Sequence, residues 1–278
     1  MADDAAPRRI AFQGERGAYG DEATGALFGA SVTRIPCPTF RDVFEAVARG
    51  AVDGGVVPME SALAGPVAEV VDLLLEFTPT LSGELRLPVR HCLLAPPGRT
   101  LEGLTRALSH PQALAQCGGW LRKHHLHPVP EANTAVAARR VAQEALEGTA
   151  AIASRTAAEL YGLAVLAEGI ADSPDNATRF LAVGPAVPPN LGSRWKTSLV
   201  LTLDNGPGAL AGVLTAFAAH GVNVARLESR PGGVRAWDYR WCLDVEGALT
   251  SAPVKAALAE ARSACTSLRV LGSYALSD

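Results

Sequence analysis

A segment rich in proline and glycine, GPAVPPNLG at residues 184–192, divides this chain into two parts with different residue patterns. Such a composition favours an extended connection over a helix or a buried strand. The chain has 278 residues, which is longer than most single hydrophobic cores. We therefore predict a first domain at residues 1–185, a linker at 186–196 and a second domain at 197–278.

The first part alternates short apolar runs with amphipathic helical patterns. We expect the apolar runs to be buried strands, and they are residues 10–12, 32–35, 55–57, 89–95, 107–109, 150–153 and 180–183. Between the second and third runs, residues 40–47 have apolar side chains at helical spacing, and Thr39 is placed to cap that helix. This alternation predicts a mostly parallel sheet with helices on both faces.

The pattern changes near residues 83 and 170, so we expect two lobes in the first domain. Lobe one holds about residues 8–82 and 170–185, and lobe two holds about residues 83–169. Small ligands bind outside the strand ends in open α/β sheets. We therefore predict a ligand cleft between the two lobes.

The second part has a different order of elements. Its strand patterns are residues 198–203, 222–229, 239–245 and 269–274. Helical patterns, marked by apolar residues at 210–217 and 254–261, follow the first and third strands. The resulting order βαββαβ predicts a ferredoxin-like sandwich.

Charge and hydropathy exclude several classes of protein. A formal net charge of -3 argues against a nucleic-acid-binding protein. No apolar stretch reaches the roughly 18 residues of a membrane span, and Asp3 and Asp4 stand where a signal peptide is basic. The five cysteines are scattered, without the spacing of disulfide frameworks or zinc sites. We therefore expect a cytoplasmic protein that has no metal site and binds neither nucleic acid nor membrane.

Polar groups follow the predicted strands in four segments. They are GERGAY at residues 14–19, GGVVPMES at 54–61, LSHPQALAQC at 108–117 and NATRF at 176–180. The first segment lacks the third glycine and the distal acidic residue of a dinucleotide-binding fingerprint. The segments are therefore candidates for a small-molecule site of another kind.

In this order, the four segments resemble those of the prephenate dehydratase family, and the resemblance covers nearly the whole chain. The family patterns Ser-His-Pro-Gln-Ala-Leu-Ala-Gln-Cys and Thr-Arg-Phe occur intact at residues 109–117 and 178–180. The chain departs from the family at Ser61 and Ala62, which replace Asn-Ser, and at Gly20, which replaces serine.

The second part resembles the amino-acid-binding ACT module attached to those enzymes. The matching segments are residues 208–210, 228–231, 237–239 and 244–247. Together, the resemblances imply a two-lobed, periplasmic-binding-protein-like α/β catalytic domain followed by a ferredoxin-like βαββαβ ACT regulatory domain.

The resemblance implies conversion of prephenate to phenylpyruvate in phenylalanine biosynthesis, with loss of carbon dioxide and water. Aromatisation of the ring drives this reaction, so no cofactor is expected. Thr178 is expected to act on the leaving hydroxyl, either as a proton donor or by orienting it. The expected substrate-binding residues are Gly17, Ala18, Tyr19, Glu60, Ser61, Ser109, His110, Gln112, Thr134, Asn176, Arg179 and Phe180.

Three of these residues have two interpretations. Strand alternation directs Arg179 away from Thr178 and Phe180, so it either contacts a substrate carboxylate or ties the lobe together. Glu60 either takes part in catalysis or braces neighbouring loops through their N–H groups. His110 either carries a proton or supports the site.

The ACT-like module is expected to bind phenylalanine as an effector. Free N–H groups at the helix start after Gly208 can hold a carboxylate, and Asn223 can accept a hydrogen bond from the ammonium group. The expected effector residues are Gly208, Ala209, Leu210, Asn223, Glu228, Ser229 and Arg230. Edge-to-edge pairing of two modules makes a homodimer the smallest assembly and is compatible with a homotetramer.

Two alternatives to this function stay open. The chain can be an arogenate dehydratase, or an enzyme that uses both substrates and so also yields phenylalanine directly. It can also be a non-catalytic ligand sensor, because two-lobed α/β clefts serve pure binding proteins as well.

Overall fold

The structure is a computed structural model that describes residues 7–144, 146–189, 192–232 and 238–277. Its strands are β1 (Arg9–Gln13), β2 (Thr33–Cys37), β3 (Gly54–Ser61), β4 (Gly65–Pro66), β5 (Leu81–Pro88), β6 (Cys92–Ala95), β7 (Arg106–Ser109), β8 (His127–Pro130), β9 (Thr149–Ala153), β10 (Ala164–Glu168), β11 (Ala177–Val183), β12 (Trp195–Thr202), β13 (Val224–Pro231), β14 (Tyr239–Glu246) and β15 (Ser267–Ser277). Its helices are α1 (Tyr19–Phe28), α2 (Phe40–Ala48), α3 (Ala68–Phe77), α4 (Pro111–Gln116), α5 (Gly118–Lys123), α6 (Thr134–Gln143), α7 (Arg155–Tyr161), α8 (Ala209–Ala219) and α9 (Ala252–Ser263). Asn190 and Leu191 of the expected linker, and Trp237 of an ACT-like segment, lie outside the described residues.

The first lobe is built on a sheet with the strand order β5-β11-β3-β1-β2. Strand β1 runs parallel to β2 and β3, whereas β11 runs antiparallel to β3 and β5. Helix α2 begins with the predicted cap: Thr39 Oγ1 accepts the Asp42 N–H at 3.1 Å, and Asp42 Oδ2 accepts the Thr39 N–H at 3.0 Å. The buried side chains of Val43 and Phe44 then join this helix to the sheet.

The second lobe has a sheet of the same design, with the order β10-β6-β9-β7-β8. Strand β7 is parallel to β8 and β9, and β6 is antiparallel to β9 and β10. Helix α6 packs on this sheet through small side chains, among them Ala137, Ala138 and Val141, which are fully buried.

The prediction of a mostly parallel sheet is wrong for both lobes, because each sheet also contains the strands on which the chain leaves or returns, and these are antiparallel. Strands β5, β8 and β10, and the two-residue strand β4, are absent from the prediction. Strand β5 carries Glu84 and Arg86, which interrupt the apolar pattern, yet Glu84 is buried because charged partners surround it. Since β5 pairs with β11, the chain leaves the first lobe after Pro88 rather than near residue 83.

The second domain is the predicted ferredoxin-like βαββαβ sandwich. Its strands follow the order β13-β14-β12-β15, and every neighbouring pair is antiparallel. Helices α8 and α9 cover one face of this sheet. The core on that face contains Leu199 and Leu201 from β12, Phe217 from α8 and Leu258 from α9.

The sheet of the second domain continues into the sheet of the first lobe. Strand β15 runs parallel to β5, where Leu276 pairs with Glu84. The face not covered by helices packs on α3, so Tyr274 lies in the same apolar core as Leu74. The second domain is therefore fixed to the first lobe by backbone pairing and by shared core, as well as by the linker.

Gly272→Ala tests this junction. A Cβ atom at Gly272 would clash with the carbonyl oxygen of Leu81, which is backbone and cannot rotate away. We expect the free energy of unfolding to fall by about 1–3 kcal/mol, measured by denaturant titration. Gly212→Ala is the matched control, because Gly212 lies within α8 and its Cβ would make an ordinary 3.6 Å contact with Ala264, the residue after α9. There alanine should raise stability by up to about 1 kcal/mol, and equal stability of the two variants would contradict the prediction.

In the described part of the chain, no helix combines the length and apolar character needed to cross a membrane. All five cysteines are free thiols, and four of them are buried. Burial, with a smaller contribution from Asp172, raises the pKa of the Cys117 thiol to about 12. The buried cysteines therefore act as small apolar core residues.

Candidate active site

A cavity of about 420 Å³ lies between the two lobes, a volume within the range of small-molecule sites. The first lobe contributes residues from β3, β11 and the starts of α1, α2 and α3, and the second lobe contributes the starts of α4 and α6. The predicted site residues that line this cavity are Ala18, Tyr19, Ser61, His110, Gln112, Thr134, Asn176, Thr178 and Phe180.

Strands β3 and β11 form the floor of the cavity. In their antiparallel pairing, Thr178 lies opposite Ser61. Phe180 lines the same cavity as Thr178, because alternate residues of a strand share a face. Ser61 Oγ accepts the backbone N–H groups of Leu63 and Ala64 at 3.4 and 3.3 Å, which leaves its own proton available for donation. The floor thus carries two hydroxyl groups beside an aromatic ring.

Two helix starts of the second lobe face this floor. His110 Nδ1 accepts the N–H of Gln112 at 3.2 Å and caps α4. Asn133 Oδ1 accepts the N–H of Val136 at 2.8 Å and caps α6, whose first residue is Thr134. The positive end of the α6 dipole therefore borders the cavity. Asn133 is a lining residue that the sequence prediction missed, although an asparagine before an amphipathic helix is a capping signal.

A chain of hydrogen-bonded side chains lines the cavity where the backbone crosses between the lobes. Tyr19 Oη lies 3.1 Å from His91 Nδ1, and His91 Nε2 lies 2.8 Å from Gln116 Oε1. Asn176 Nδ2 donates to the same Gln116 oxygen at 3.0 Å. Because that oxygen only accepts, a neutral His91 ring carries its proton on Nε2. The Tyr19 hydroxyl then has two acceptors at 3.1 Å, His91 Nδ1 and the carbonyl of Arg90. The sequence prediction missed His91 and Gln116.

The walls of the cavity carry no formal charge. Among the described lining residues the titratable side chains are Tyr19, His91 and His110, with no Asp, Glu, Lys or Arg. Burial lowers the pKa of both histidines, and burial together with Glu22 raises the pKa of Tyr19. All three are therefore neutral at pH 7. A substrate carboxylate is met here by neutral donors and helix starts.

Among all residues that the structure describes, no group of three or more His, Cys, Asp or Glu side chains is arranged to hold a metal ion.

The predicted site residues that do not line the cavity are Gly17, Glu60, Ser109 and Arg179. The Gly17 N–H donates to Asp21 Oδ2 at 2.9 Å, and its carbonyl accepts from Ser154 Oγ at 3.0 Å. Gly17 therefore joins the two lobes instead of offering its N–H to a ligand. Ser109 Oγ donates to the carbonyl of Ile152 at 2.6 Å, so this buried hydroxyl links β7 to β9.

Arg179 and Glu60 face each other on the opposite side of the β11–β3 pair. Arg179 Nε donates to Glu84 Oε2 at 2.8 Å, and Nη2 donates to Asp244 Oδ2 at 2.6 Å. Arg179 Nη1 is 3.8 Å from Glu60 Oε2. Of the two interpretations of Arg179, the contacts favour a structural tie over a substrate contact, because the strand pleat directs the guanidinium away from the cavity. The same pleat places Glu60 outside it.

Two of the predicted effector residues, Ala209 and Leu210, border a hollow of about 100 Å³ at the start of α8. Gly208 caps this helix with φ +84°, a conformation that glycine adopts without strain. The Asn223 carbonyl accepts the N–H of Glu246 at 2.9 Å, just before β13. Gly208, Ala209, Leu210 and Asn223 thus lie at the start of α8 and just before β13 in the second domain.

The remaining predicted effector residues, Glu228, Ser229 and Arg230, lie on β13, the edge strand of the sheet. Arg230 Nη2 is 2.5 Å from Asp72 Oδ2 of α3. A single chain therefore does not gather all the effector residues into one pocket. An effector site shared by two paired modules stays a prediction.

Comparison with known proteins identifies the two domains separately. Residues 10–187 match the family model for prephenate dehydratase, and residues 197–262 match the model for the ACT domain. The arogenate dehydratase/prephenate dehydratase 2 of Arabidopsis thaliana, a chloroplastic protein, is 41% identical over 276 residues, which are 96% of this chain and 72% of the relative.

Two solved structures share the whole architecture. The prephenate dehydratase of Arthrobacter aurescens, in complex with L-Phe, is 34% identical and superposes with a TM-score of 0.86 over 96% of this chain and 89% of that chain. A protein described as GqqA, a novel type of quorum quenching acylase, is 37% identical, with a TM-score of 0.87 over 97% of this chain and 98% of that chain.

The two lobes, the uncharged cavity between them and the fused ACT domain match the architecture of a small-molecule enzyme joined to an ACT domain. The segments that bring Thr178, Ser61 and Gln112 to the cavity all fall within the matched residues 10–187. The chain belongs to the prephenate dehydratase family and is a dehydratase.

Proposed function

We propose that this chain removes carbon dioxide and water from prephenate to give phenylpyruvate, a step in phenylalanine biosynthesis. The observation that carries the proposal is the position of Thr178 on the floor of the interlobe cavity, opposite Ser61 and beside Phe180. An aromatic wall, hydroxyl donors and an uncharged lining suit a ring that loses its one carboxylate while the carboxylate of its side chain is retained.

The reaction divides into steps that the cavity residues serve. The ring carboxylate leaves as carbon dioxide, and its bonding electrons pass through the ring diene and expel the 4-hydroxyl, which takes up a proton and leaves as water. The apolar lining, which includes Val56, Pro58 and Phe180, excludes water from the ring carboxylate. A poorly hydrated carboxylate is destabilised relative to uncharged carbon dioxide, so its loss is favoured. The N–H groups at the start of α6, near Thr134, would bind the side-chain carboxylate, which is retained.

Thr178 acts on the departing oxygen. A threonine hydroxyl is a weak acid, so it orients the leaving group and donates a hydrogen bond that strengthens as negative charge develops. The side chain is partly exposed to the cavity, which allows contact with a ligand. Ser61, across the strand pair, is a second donor to the same region.

Arogenate is the second candidate substrate, because the 41% identical Arabidopsis relative is named for both activities. Prephenate and arogenate share the reacting ring and differ in a keto or an ammonium group on the side chain, away from Thr178. The deciding experiment supplies each compound to the purified chain and measures phenylpyruvate and phenylalanine. Comparable kcat/KM values would make the enzyme dual, and no product from either would overturn the proposed function in favour of a ligand sensor.

The GqqA structure raises amide hydrolysis as another activity, but the described contacts do not favour it. A hydrolytic nucleophile needs a base within hydrogen-bonding reach. Ser61 Oγ is occupied by backbone N–H groups, and no described hydrogen bond joins Thr178 to a histidine or carboxylate.

We further propose that phenylalanine is the effector and binds where two ACT modules pair along the β13 edge of a homodimer or homotetramer. Two observations support this proposal. Residues 228–230 lie on β13, the edge strand of the sheet, and the structure of the Arthrobacter relative is a complex with L-Phe. Saturating phenylalanine should lower turnover and raise the unfolding free energy, by about 2.7 kcal/mol at 100 times its Kd. Thermal unfolding and turnover with and without phenylalanine test this, with D-phenylalanine as the control. Unchanged activity and stability would overturn the assignment.

A further inference from the structure

The two strands of the cavity floor alternate residues that face the cavity with residues that face the second domain. Thr178 and Ser61 pair on the cavity side, and the next pair, Arg179 and Glu60, lies on the other side. Neighbouring residues are joined by a planar, rigid peptide unit, so a displacement of one is passed to the next. A shift of Arg179 is therefore felt at Thr178.

Arg179 is held from the second domain. Its side chain is only 8% exposed, and Nη2 lies 2.6 Å from Asp244 Oδ2 and 3.5 Å from Tyr274 Oη. Nε donates to Glu84 Oε2 at 2.8 Å within the first lobe. Since Asp244 and Tyr274 belong to β14 and β15, the strand that carries Thr178 is attached to the ACT domain.

The groups that are hydrogen-bonded to Arg179 are buried and have further partners of their own. Glu84 Oε1 accepts from Lys196 Nζ at 2.6 Å, and Asp244 Oδ1 accepts from Ser198 Oγ at 2.5 Å. Two cations, Arg179 and Lys196, are thus matched by two carboxylates, Glu84 and Asp244. A buried cluster of this kind tolerates a narrow range of geometries, because a displaced charge loses its partner in surroundings of low dielectric constant.

The cluster also touches the strand that carries expected effector residues. Arg226 of β13 pairs in register with Asp244 and forms an ion pair with Glu228. Its side chain is buried, and its Nε lies 3.9 Å from Glu60 Oε2. The β13 strand therefore meets β3 directly through Arg226 and Glu60, and it is linked to β11 through Asp244 and Arg179.

Building on the proposed function, we propose that Arg179 is a positioning residue for Thr178 and that Asp244 of the ACT domain holds it in place. An effector that shifts β13 then acts on Thr178 through Arg226, Asp244 and Arg179. It does so without touching the cavity.

The test is Asp244→Asn in the full chain, which keeps the side-chain size but removes the charge that holds Arg179. We expect kcat to fall by about tenfold or more while KM changes by less than about threefold, because every lining residue of the cavity is retained. Phenylalanine should still bind, as measured by calorimetry. Its inhibition should weaken, so that the ratio of turnover without and with saturating phenylalanine falls towards one.

Glu260→Gln is the matched control. It removes an acidic residue of the same domain, one that pairs with His220 on the exposed side of α9 and lies outside the buried cluster. Its kcat and its inhibition by phenylalanine should equal those of the wild type within about twofold.

A gentler variant covers the case in which Asp244→Asn does not fold. Tyr274→Phe removes the hydroxyl near Arg179 and Ser198 and leaves all charges in place, so kcat should fall in the same direction by a smaller factor. The double variant Arg179→Lys/Asp244→Asn provides a further test. Both substitutions weaken the same Arg179–Asp244 contact, so kcat of the double variant should be no lower than kcat of the slower single variant.

Two results separate the possible failures. Folded Asp244→Asn and Tyr274→Phe proteins with wild-type kcat and wild-type inhibition, even with lowered thermal stability, would give the cluster a purely structural role and overturn the inference. A wild-type protein that converts neither prephenate nor arogenate would overturn the proposed function itself, and with it the inference.

Discussion

Replacing Thr178 with valine is expected to lower kcat by about 100- to 10,000-fold, the usual contribution of a positioned proton-transfer or hydrogen-bonding group. Valine keeps the branched shape that suits a strand and removes only the hydroxyl. The fold should therefore persist, and the loss reports on chemistry. The measurement is product formation from prephenate and from arogenate across a range of substrate concentrations.

Thr178→Ser is the matched control for this variant. Serine restores the hydroxyl on the same strand, opposite Ser61, and should keep kcat within about tenfold of the wild type. A valine variant with undiminished turnover would remove Thr178 from the mechanism. A serine variant as slow as valine would show that the methyl group, rather than the hydroxyl, matters.

Replacing Glu84 with glutamine is expected to have the largest effect on stability, lowering the unfolding free energy by about 3–5 kcal/mol. The Glu84 side chain is 2% exposed and accepts from Arg179 at 2.8 Å and from Lys196 at 2.6 Å. Removing its charge leaves two buried cations with one fewer partner. Denaturant unfolding followed by tryptophan fluorescence measures the change.

Glu76→Gln is the control for Glu84→Gln, because it removes the same charge from an exposed pair. Glu76 binds Arg41 through two hydrogen bonds of 2.7 Å, yet about half of each side chain is exposed. Exposed pairs contribute little, so its unfolding curve should overlay that of the wild type. Equal losses in the two variants would contradict the assignment of a buried, coupled cluster.

Acid should weaken the same cluster in a defined direction. Burial alone would raise the pKa of Asp244, but the guanidinium of Arg179 and the hydroxyl of Ser198 hold it below its ordinary value. The stability contributed by Asp244 is therefore complete above the ordinary pKa of an aspartate and is lost as pH falls through the lowered value.

Local patterns in the sequence predicted the elements whose signals lie within them. The cap at Thr39, the helix at residues 40–47 and the βαββαβ order of the second domain are of this kind. Strands β8 and β10 were missed because short, half-exposed strands show little periodicity, and they become strands through their partners. Strand β5 was missed for a related reason, since Glu84 is buried only by cations that come from elsewhere in the chain.

The residues of the candidate site also divide into those that the sequence located and those that it missed. Motif residues that follow strands, such as Thr178, Ser61 and Gln112, could be placed at the cavity from sequence because the strand ends meet there. His91 lies in a run interpreted as a buried strand, and a polar residue within such a run was the signal that was overlooked. Strand alternation gave the direction of Arg179, but its partner Asp244 is 65 residues away and could not be found from local spacing.

The pairing of β15 with β5 has a consequence for biosynthesis. While the ribosome is still adding residues beyond β11, the β5 edge has no neighbour and Glu84 lacks Lys196. An uncovered strand edge is a template for association with other chains. A fragment cut at the linker should therefore aggregate more readily than the full chain.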